Sequence, residues 1–313
     1  MKRAAGLGGK LARARNRVYH RFFKFPHHRR RHYESVCRSF HPVTHHARAG
    51  LAKSLLEEHG DAGTAGRLVD DGFLEWSGTR HHPLADAVVE AARSVLDAGA
   101  RQSMQARSRE LQQNLVVQRL DGELEKRSPF LRFALDPRVL ATAAAYLGVL
   151  PMLDGIYLWY SPNERSSTDR NSSQLFHIDP TGYRELKLFV HVTDVTHDTG
   201  PLTLVRAAAS RKLYPLFAHH TGSIADAEVQ RIVGRDAIVA LTGPAGTVTG
   251  ADTSTCFHYG SRQGTRRRVL VHFHYMSPYV PRFPLLGRLR NDRYAYLVDE
   301  ESSALERHVL GCG

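Results

Sequence analysis

Two hydrophobic periodicities divide this chain. In its first half, apolar residues recur every three or four positions, most regularly at Leu84, Val88, Val89, Ala92 and Val95. This spacing predicts an amphipathic helix, and residues 84–118 are mostly helical in character. Residues 51–60 show the same pattern over a shorter length and predict a further helix.

A later helix carries its own start and stop residues. Asp136 and Pro137 precede residues 138–147, as an N-cap followed by a proline in the first helical position. Gly148 follows the last apolar residue, where glycine commonly ends a helix. The sequence therefore predicts a helix over residues 138–147.

After residue 150 the pattern changes to short β-rich runs separated by Gly, Pro, Asn and Asp. The predicted strands are residues 155–160, 186–195, 237–241, 247–249 and 268–275, with an earlier one at 71–76. The last strand is bulky on both faces, with Val269, Val271, Phe273 and Tyr275 on one and Leu270, His272 and His274 on the other. Neither face suits water, so we predict an α+β protein with a mainly β core, a cupin-like antiparallel jelly roll with flanking N-terminal helices.

The same patterns suggest where the chain divides. We expect a basic N-terminal arm over residues 1–50, either irregular or an amphipathic helix, and a single domain over 51–290. Within that domain, residues 51–150 would cover one sheet and residues 150–280 would form the jelly-roll core. Residues 291–313 would be a C-terminal tail.

Composition indicates a globular protein, because 42% of the 313 residues are apolar. The sequence has neither a long apolar run typical of a membrane span nor the apolar segment of a secretory signal. Cys37, Cys256 and Cys312 are too scattered for a disulfide framework or a zinc cluster. We therefore expect a soluble, cytoplasmic protein.

The positive charge lies almost entirely in the arm. Residues 1–50 hold 13 Lys and Arg against one acid, Glu34, which leaves 30 basic and 30 acidic residues in the rest. Three interpretations stay open for the arm: a solvated extension, a segment that docks on an anionic membrane surface or polyanion, or an organelle-targeting peptide. The neutral body gives no reason to expect specific nucleic-acid recognition.

The most informative chemistry is the pair His177 and Asp179. Side chains two positions apart on an extended segment point the same way, so this pair can hold one metal ion from one side. His258, in the next strand-and-turn-rich stretch, is a candidate third ligand. Two histidines and one carboxylate are the ligand set of non-haem Fe(II) oxygenases.

Two blocks of sequence resemble the phytanoyl-CoA dioxygenase family. The first comprises Gln174-Leu175-Phe176-His177-Ile178-Asp179-Pro180, then Leu186 to Phe189, Thr193-Asp194-Val195 and Gly200-Pro201-Leu202. The second runs from Asp252-Thr253 to His258-Tyr259-Gly260-Ser261-Arg262 and is followed by an Arg-led strand. They span roughly residues 150–280, and their matching order is more specific than either alone.

The resemblance implies a double-stranded β-helix that uses Fe(II), the cosubstrate 2-oxoglutarate and O2. It assigns the iron to His177, Asp179 and His258. The far carboxylate of 2-oxoglutarate then needs a fixed cation, and Arg268 opens the strand ten residues after His258. A guanidinium can bind a carboxylate through two parallel hydrogen bonds, which favours Arg268. Arg266 has the same strand parity and is the alternative.

Three further residues are candidate contacts of the cosubstrate. Lys187 follows the first block and could reach a carboxylate of 2-oxoglutarate, or it could cap a sheet face. Gln174 and Ser261 flank the ligands in sequence and could touch the cosubstrate or orient a ligating imidazole. A position in a solvated turn is the alternative for both.

The implied reaction is hydroxylation of an unactivated carbon in a small organic or lipid-like substrate, with succinate and CO2 as co-products. The family's halogenating relatives lack the ligand carboxylate, so Asp179 argues against halogenation. The chain departs from the family after Gly200, where residues 205–211 replace a Pro-Gly-Ser-His turn; we expect an altered loop at the pocket rim. Nothing in residues 1–150 identifies a coenzyme A site.

Two alternatives compete with this interpretation. His272 and His274 share a strand face and could form a cupin-type metal site of their own. Alternatively, the jelly roll could be a non-catalytic metal-binding scaffold, with the basic arm as the functional part.

Overall fold

The computed structural model describes residues 27–96, 100, 102–106, 115–120, 124–162, 174–179, 181–217, 224–260, 262, 264–279 and 292–313, with side chains from residue 30 onward. Two antiparallel sheets form its centre. The larger has six strands in the order β1, β7, β4, β9, β3, β2, and the smaller has the order β6, β5, β8. The strands are β1 Phe73–Trp76, β2 Val116–Arg119, β3 Met152–Ser161, β4 Glu185–His191, β5 Leu202–Val205, β6 Ile238–Leu241, β7 Val248–Ala251, β8 His258–Tyr259 and β9 Arg268–Met276.

Nine α-helices have described ends and surround the sheets. They are α1 His27–Ser39, α2 Pro42–His59, α3 Ala62–Asp70, α4 Ala85–Val95, α5 Pro129–Ala134, α6 Pro137–Leu147, α7 Ala207–Phe217, α8 Asp226–Val233 and α9 Ala304–Val309. Residues 102–106 are helical as well. Helix α6 packs against α2, α3 and β4, and α4 packs against α5, β4 and β9. The early helices thus cover the six-stranded sheet, as the hydrophobic pattern predicts.

Strand β9 separates two environments. Val269, Val271, Phe273 and Tyr275 belong to the main apolar core, which the strand shares with helices α2 to α6. The opposite face of the strand carries Arg268, Leu270, His272 and His274, all buried between the two sheets. The predicted jelly-roll core with both strand faces covered is confirmed. The inner face of β9 is therefore polar as well as buried.

Several local predictions also hold. Helix α6 begins after Asp136, whose carboxylate accepts hydrogen bonds from the backbone N–H groups of Arg138 and Val139, and it ends at Gly148 with φ of 71°. Strand β1 lies within the predicted segment 71–76. In contrast, residues 116–119 are not helical. They form edge strand β2, which pairs with β3. The prediction failed because a run of four residues is too short for its hydrophobic periodicity to distinguish a strand from a helix.

Parts of the expected arm and tail contact the rest of the molecule. Residues 1–26 lie outside the described residues, and α2 runs across residue 50 without a break. Arg48 of α2 is completely buried and donates to carbonyl oxygens of Leu150 and His308. Val309 at the end of α9 is buried in the main core. The domain boundaries at residues 50 and 290 stay predictions.

The pocket-rim expectation for residues 205–211 also needs correction. Residues 207–217 form helix α7, and Ser210 ties it to the sheet by accepting from the Phe257 N–H and donating to the Val205 carbonyl oxygen. An alanine-rich run without the family's glycine favours a helix over an open loop. Among the described helices, none combines the length and apolar character needed to cross a bilayer.

Replacing Asp136 by alanine tests how the helical layer is fixed. His82 is fully buried, accepts the Leu84 N–H at Nδ1 and so presents Nε2–H to Asp136, 3.2 Å away. Asp136→Ala removes a cap worth about 1 kcal/mol and leaves a buried imidazole without that acceptor, so urea denaturation should show a loss of about 3 kcal/mol.

Asp61→Ala is the matched control, since Asp61 caps α3 from an exposed position. It should cost about 1 kcal/mol. Burial raises the pKa of Asp136, but its contact with His82 and the backbone donors outweighs burial, and the pKa lies below its usual value. The extra stability should therefore persist at neutral pH and disappear in acid, as Asp136 becomes protonated. Equal losses for the two variants would contradict this account.

Candidate metal centre

His177 and His258 are held opposite each other by the backbone. Their N–H and C=O groups form a reciprocal pair of hydrogen bonds, 3.0 Å from the His177 nitrogen and 2.9 Å from the His258 nitrogen. This bridge adds the segment of His177 to the edge of the three-stranded sheet beside β8. As a result, the two imidazole rings lie 4.2 Å apart between centroids.

Both imidazoles are oriented in the same way. His177 Nδ1 lies 2.8 Å from the carbonyl oxygen of Leu175, and His258 Nδ1 lies 3.1 Å from that of Cys256. An Nδ1–H that donates to a carbonyl leaves the lone pair on Nε2, the form that binds a metal. Each Nε2 points to the Asp179 carboxylate at 3.7 Å.

Asp179 is fixed by the turn that precedes β8. Its N–H donates to the Thr253 carbonyl oxygen at 2.9 Å. The Thr253 hydroxyl lies 2.7 Å from Asp179 Oδ2 and 2.5 Å from Glu185 Oε1, so these two carboxylates share its one proton. One donor atom from each of His177, Asp179 and His258 lies within 4.8 Å of the others. In the part of the chain that the structure describes, this is the one cluster of three such side chains with that spacing. Two nitrogens and one carboxylate oxygen fit a divalent iron ion bound from one side.

Lys187 supplies the charge that balances Asp179. Its ammonium group contacts Asp179 Oδ2 and lies 3.4 Å from Glu185 Oε1. Burial would raise the pKa of Asp179, but the charge of the Lys187 ammonium group outweighs burial and holds that pKa well below its usual range. Burial and the neighbouring His177 lower the pKa of His258 to about 3, so its imidazole is neutral and available as a ligand.

The proposed rival site on β9 is occupied by other contacts. His274 lies 2.7 Å from Glu185 and 3.3 Å from Asp154, and these acids raise its pKa despite burial. His272 stacks on Phe189 and Tyr157. The two histidines therefore contribute to an ion-pair network and to an aromatic cluster, and no third ligand among the described residues joins them at metal-binding distance.

A cavity of about 260 Å³ opens beside the three ligands. Its polar lining includes His177, Asp179, His258, Lys187, Thr253 and Arg268, and its apolar lining includes Leu115, Trp159, Phe189, Leu202 and Leu270. These residues come from both sheets. The cavity thus joins a metal-binding cluster to a buried guanidinium through a mostly apolar interior.

Arg268 is almost completely buried in this cavity wall. Its guanidinium donates to the carbonyl oxygen of Gly200 and to the hydroxyl of Ser161, which are neutral acceptors. Burial lowers its pKa to about 10, which shows that this cation is held at an electrostatic cost. An anion bound beside it would offset that cost.

The remaining predicted residues lie in different surroundings. Arg266 is exposed, pairs with Asp198 at 3.6 Å and lines a separate groove that Arg267 shares. Gln174 is buried, and its backbone carbonyl oxygen accepts a hydrogen bond from the Arg262 guanidinium. Ser261 lies outside the described residues.

Two residues of the site were not singled out from the sequence. Thr253 lies five residues before His258 within the second motif block, which was the one sequence signal that could have drawn attention to it. Arg262 pairs with Asp226 of α8 at 2.8 Å and stacks on Tyr259, and so ties the neighbours of both ligand histidines together. Its role depends on contacts far apart in sequence and had no local signature.

Comparison with known proteins supports the fold of this chain but does not assign it to a family. No family model matches the chain, and no curated protein is similar to it in sequence. The solved structures that resemble it include EctD from S. alaskensis with bound Fe, at 19% identity and a TM-score of 0.52, and its apo form, at 20% and 0.50; both comparisons cover 79% of this chain and 86% of EctD. EctD with 2-oxoglutarate and 5-hydroxyectoine matches at 20% identity and 0.49, over 73% and 83% of the two chains. At this level of identity, the two EctD structures with TM-scores of 0.50 and 0.52 support the jelly-roll fold with flanking helices.

Proposed function

We propose that this protein is an Fe(II)- and 2-oxoglutarate-dependent dioxygenase that hydroxylates an unactivated carbon of a small organic or lipid-like substrate. The observation that carries the proposal is the juxtaposition, in one cavity, of the His177, Asp179 and His258 cluster with buried Arg268. EctD, which shares the fold, has been solved with bound Fe. That finding supports the choice of iron over other divalent metals.

His177 and His258 would bind iron through Nε2, and Asp179 through a carboxylate oxygen. Lys187 and Thr253 both contact Oδ2 of Asp179, which lies 3.7 Å from His258 Nε2, whereas Oδ1 lies 3.7 Å from His177 Nε2. Oδ1 is therefore the oxygen that we propose as the metal ligand. With iron bound, the site supplies O2 activation coupled to decarboxylation of 2-oxoglutarate, giving succinate and CO2. Asp179 occupies the position that a halide would need, which favours hydroxylation.

Arg268 would bind the far carboxylate of 2-oxoglutarate. It stands on the inner face of β9, the strand that also carries Leu270 in the cavity wall. The apolar side chains of Trp159, Phe189 and Leu270 exclude water from this end, which strengthens a charge-assisted hydrogen bond. Lys187 stays a candidate for the other end of the cosubstrate, since it lies in the same cavity beside the metal ligands.

Within this class of enzyme we propose membership of the phytanoyl-CoA dioxygenase family, on the two sequence blocks that contain the ligands. We further propose that one oxygenase domain includes α1, α2 and α9, because their side chains are buried against it. The buried, reduced Cys37 and Cys256 support a cytoplasmic location.

Substitutions of the two predicted arginines should separate their roles. Arg268→Ala removes a bidentate, charge-assisted contact, so the Kd of the Fe(II)-loaded protein for 2-oxoglutarate should rise about 10- to 100-fold by anaerobic calorimetry. Arg268→Lys keeps the charge but loses the fork and should be intermediate. Arg266→Ala, on the surface, should leave the Kd within about twofold. Similar Kd values for Arg266→Ala and Arg268→Ala would contradict the assignment of Arg268.

The alternative function, docking through the basic N-terminus, rests on charge. Residues 1–26 carry eight Lys and Arg and no acid, whereas Arg30 and Arg48 are buried in the body. An anionic membrane surface or polyanion would therefore bind through residues 1–50, with most of the available positive charge in residues 1–26. This activity is compatible with catalysis in the cavity, because the two sites share no residue.

Replacing Arg13, Arg15 and Arg17 together by glutamine should weaken sedimentation with anionic phospholipid vesicles, and the loss should be largest at low salt. Replacing three exposed basic residues of the body, Lys53, Arg127 and Arg138, is the control and should have little effect. Equal effects of the two triple variants would argue against docking through this segment.

A further inference from the structure

Arg30 reaches from helix α1 into the loops around the metal-binding cluster. The residue is only 2% exposed, although it belongs to a stretch of three consecutive arginines. Its Nη1 lies within hydrogen-bonding distance of three backbone carbonyl oxygens, those of Asp179 at 3.1 Å, Gly182 at 2.9 Å and Ser254 at 3.4 Å. One side chain thus bridges two segments that are far apart in sequence.

These two segments together hold the carboxylate ligand. The first contains Asp179 itself. The second contains Thr253, whose carbonyl oxygen accepts the Asp179 N–H and whose hydroxyl lies 2.7 Å from the Asp179 carboxylate. Ser254 follows directly, and its N–H and hydroxyl both bond to Asp252. Arg30 therefore closes a ring of hydrogen bonds around the backbone of the ligand.

A buried guanidinium is costly unless its donors are well paired, so its position is sensitive to the arrangement of its acceptors. Conversely, the three carbonyl groups keep their relative positions because one rigid cation binds them. When the cation is removed, the carbonyls repel one another and the Asp179 loop gains freedom. Part of the free energy of metal binding is then used to order that loop, so the metal binds more weakly.

We propose that Arg30 is a positioning residue of the metal centre, and that it couples the docking of helix α1 to metal binding. The inference rests on the metal site of the proposed function. Because coupling between two equilibria is reciprocal, a metal ion bound at His177, Asp179 and His258 should also hold α1 more firmly against the body.

Arg48 provides a matched control within the same protein. It is also a buried arginine on a neighbouring helix, and its donors also bind three carbonyl oxygens, those of Leu150, Pro151 and His308. None of these belongs to the loops that carry the metal ligands. Loss of Arg48 should therefore reduce stability without a specific effect on the metal.

The first test is a titration of the full-length protein with Co(II), followed by its visible absorption. Arg30→Ala should bind Co(II) about 10-fold more weakly than the wild type, as expected for loss of a group that orients a ligand. Arg30→Lys should recover part of the affinity, and Arg48→Ala should keep the wild-type Kd while showing a lower melting temperature. Folded Arg30→Ala with an unchanged Kd would overturn the proposal.

The second test needs no variant and so does not depend on whether Arg30→Ala folds. Amide hydrogen exchange of the wild type should slow in α1 when Co(II) is added, while the peptide containing α9 should be unaffected. Unchanged exchange in α1 at saturating Co(II) would refute the coupling. If the wild type binds no Co(II), the proposed function itself fails; if it binds Co(II) and Arg30 has no influence, only this inference fails.

Discussion

The structure depends on keeping an ionised carboxylate inside a protein. The Asp179 side chain is 23% exposed at the wall of the cavity, where a charge without a partner is unfavourable. The Lys187 ammonium group contacts this carboxylate, and the Thr253 hydroxyl lies 2.7 Å from it. Lys187 belongs to β4 and Thr253 to the turn before β8, so these segments must come together with that of Asp179 to stabilise the ionised carboxylate. The arrangement that satisfies this electrostatic requirement also presents three ligand atoms to one point.

The charge balance extends beyond the ligands. Lys187 also faces Glu185, and Glu185 contacts His274, which is paired in turn with Asp154. These residues occupy the inner face of the six-stranded sheet, while its outer face packs on helices through apolar side chains. Strand β9 contributes to both. Because successive side chains of a strand point to opposite faces, β9 contributes apolar residues to the core beneath the helices and polar residues to the space between the sheets. Hydrogen bonds and ion pairs are strong in that space because it holds little water.

Much of this could be predicted from local sequence. The short strands, bulky on both faces, predicted the jelly roll, and the cap residues predicted helix α6. The spacing of His177 and Asp179 placed two ligand candidates on one face. Arg268 was favoured over Arg266 because it begins the strand that follows His258. In the structure Arg268 is buried in the cavity wall, whereas Arg266 is exposed. Each of these features is determined by residues close together in the chain.

The features that were missed depend on contacts between distant residues. A run of arginines beside histidines suggests an exposed arm, and no local pattern distinguishes Arg30, which is buried, from a solvated neighbour. Strand β2 exists because β3 is there to pair with it, and α7 replaces an expected loop because Ser210 docks on the strand edge. In each case the structure is determined by a contact with a residue that is distant in the sequence.

The most direct test of the central claim is succinate release from 2-oxoglutarate by anaerobically purified protein loaded with Fe(II) and then exposed to O2, with and without candidate substrates. The account predicts iron-dependent succinate formation that increases with a true substrate. In His177→Ala, both succinate formation and tight iron binding should be lost. Turnover and iron affinity that survive unchanged in His177→Ala would contradict it.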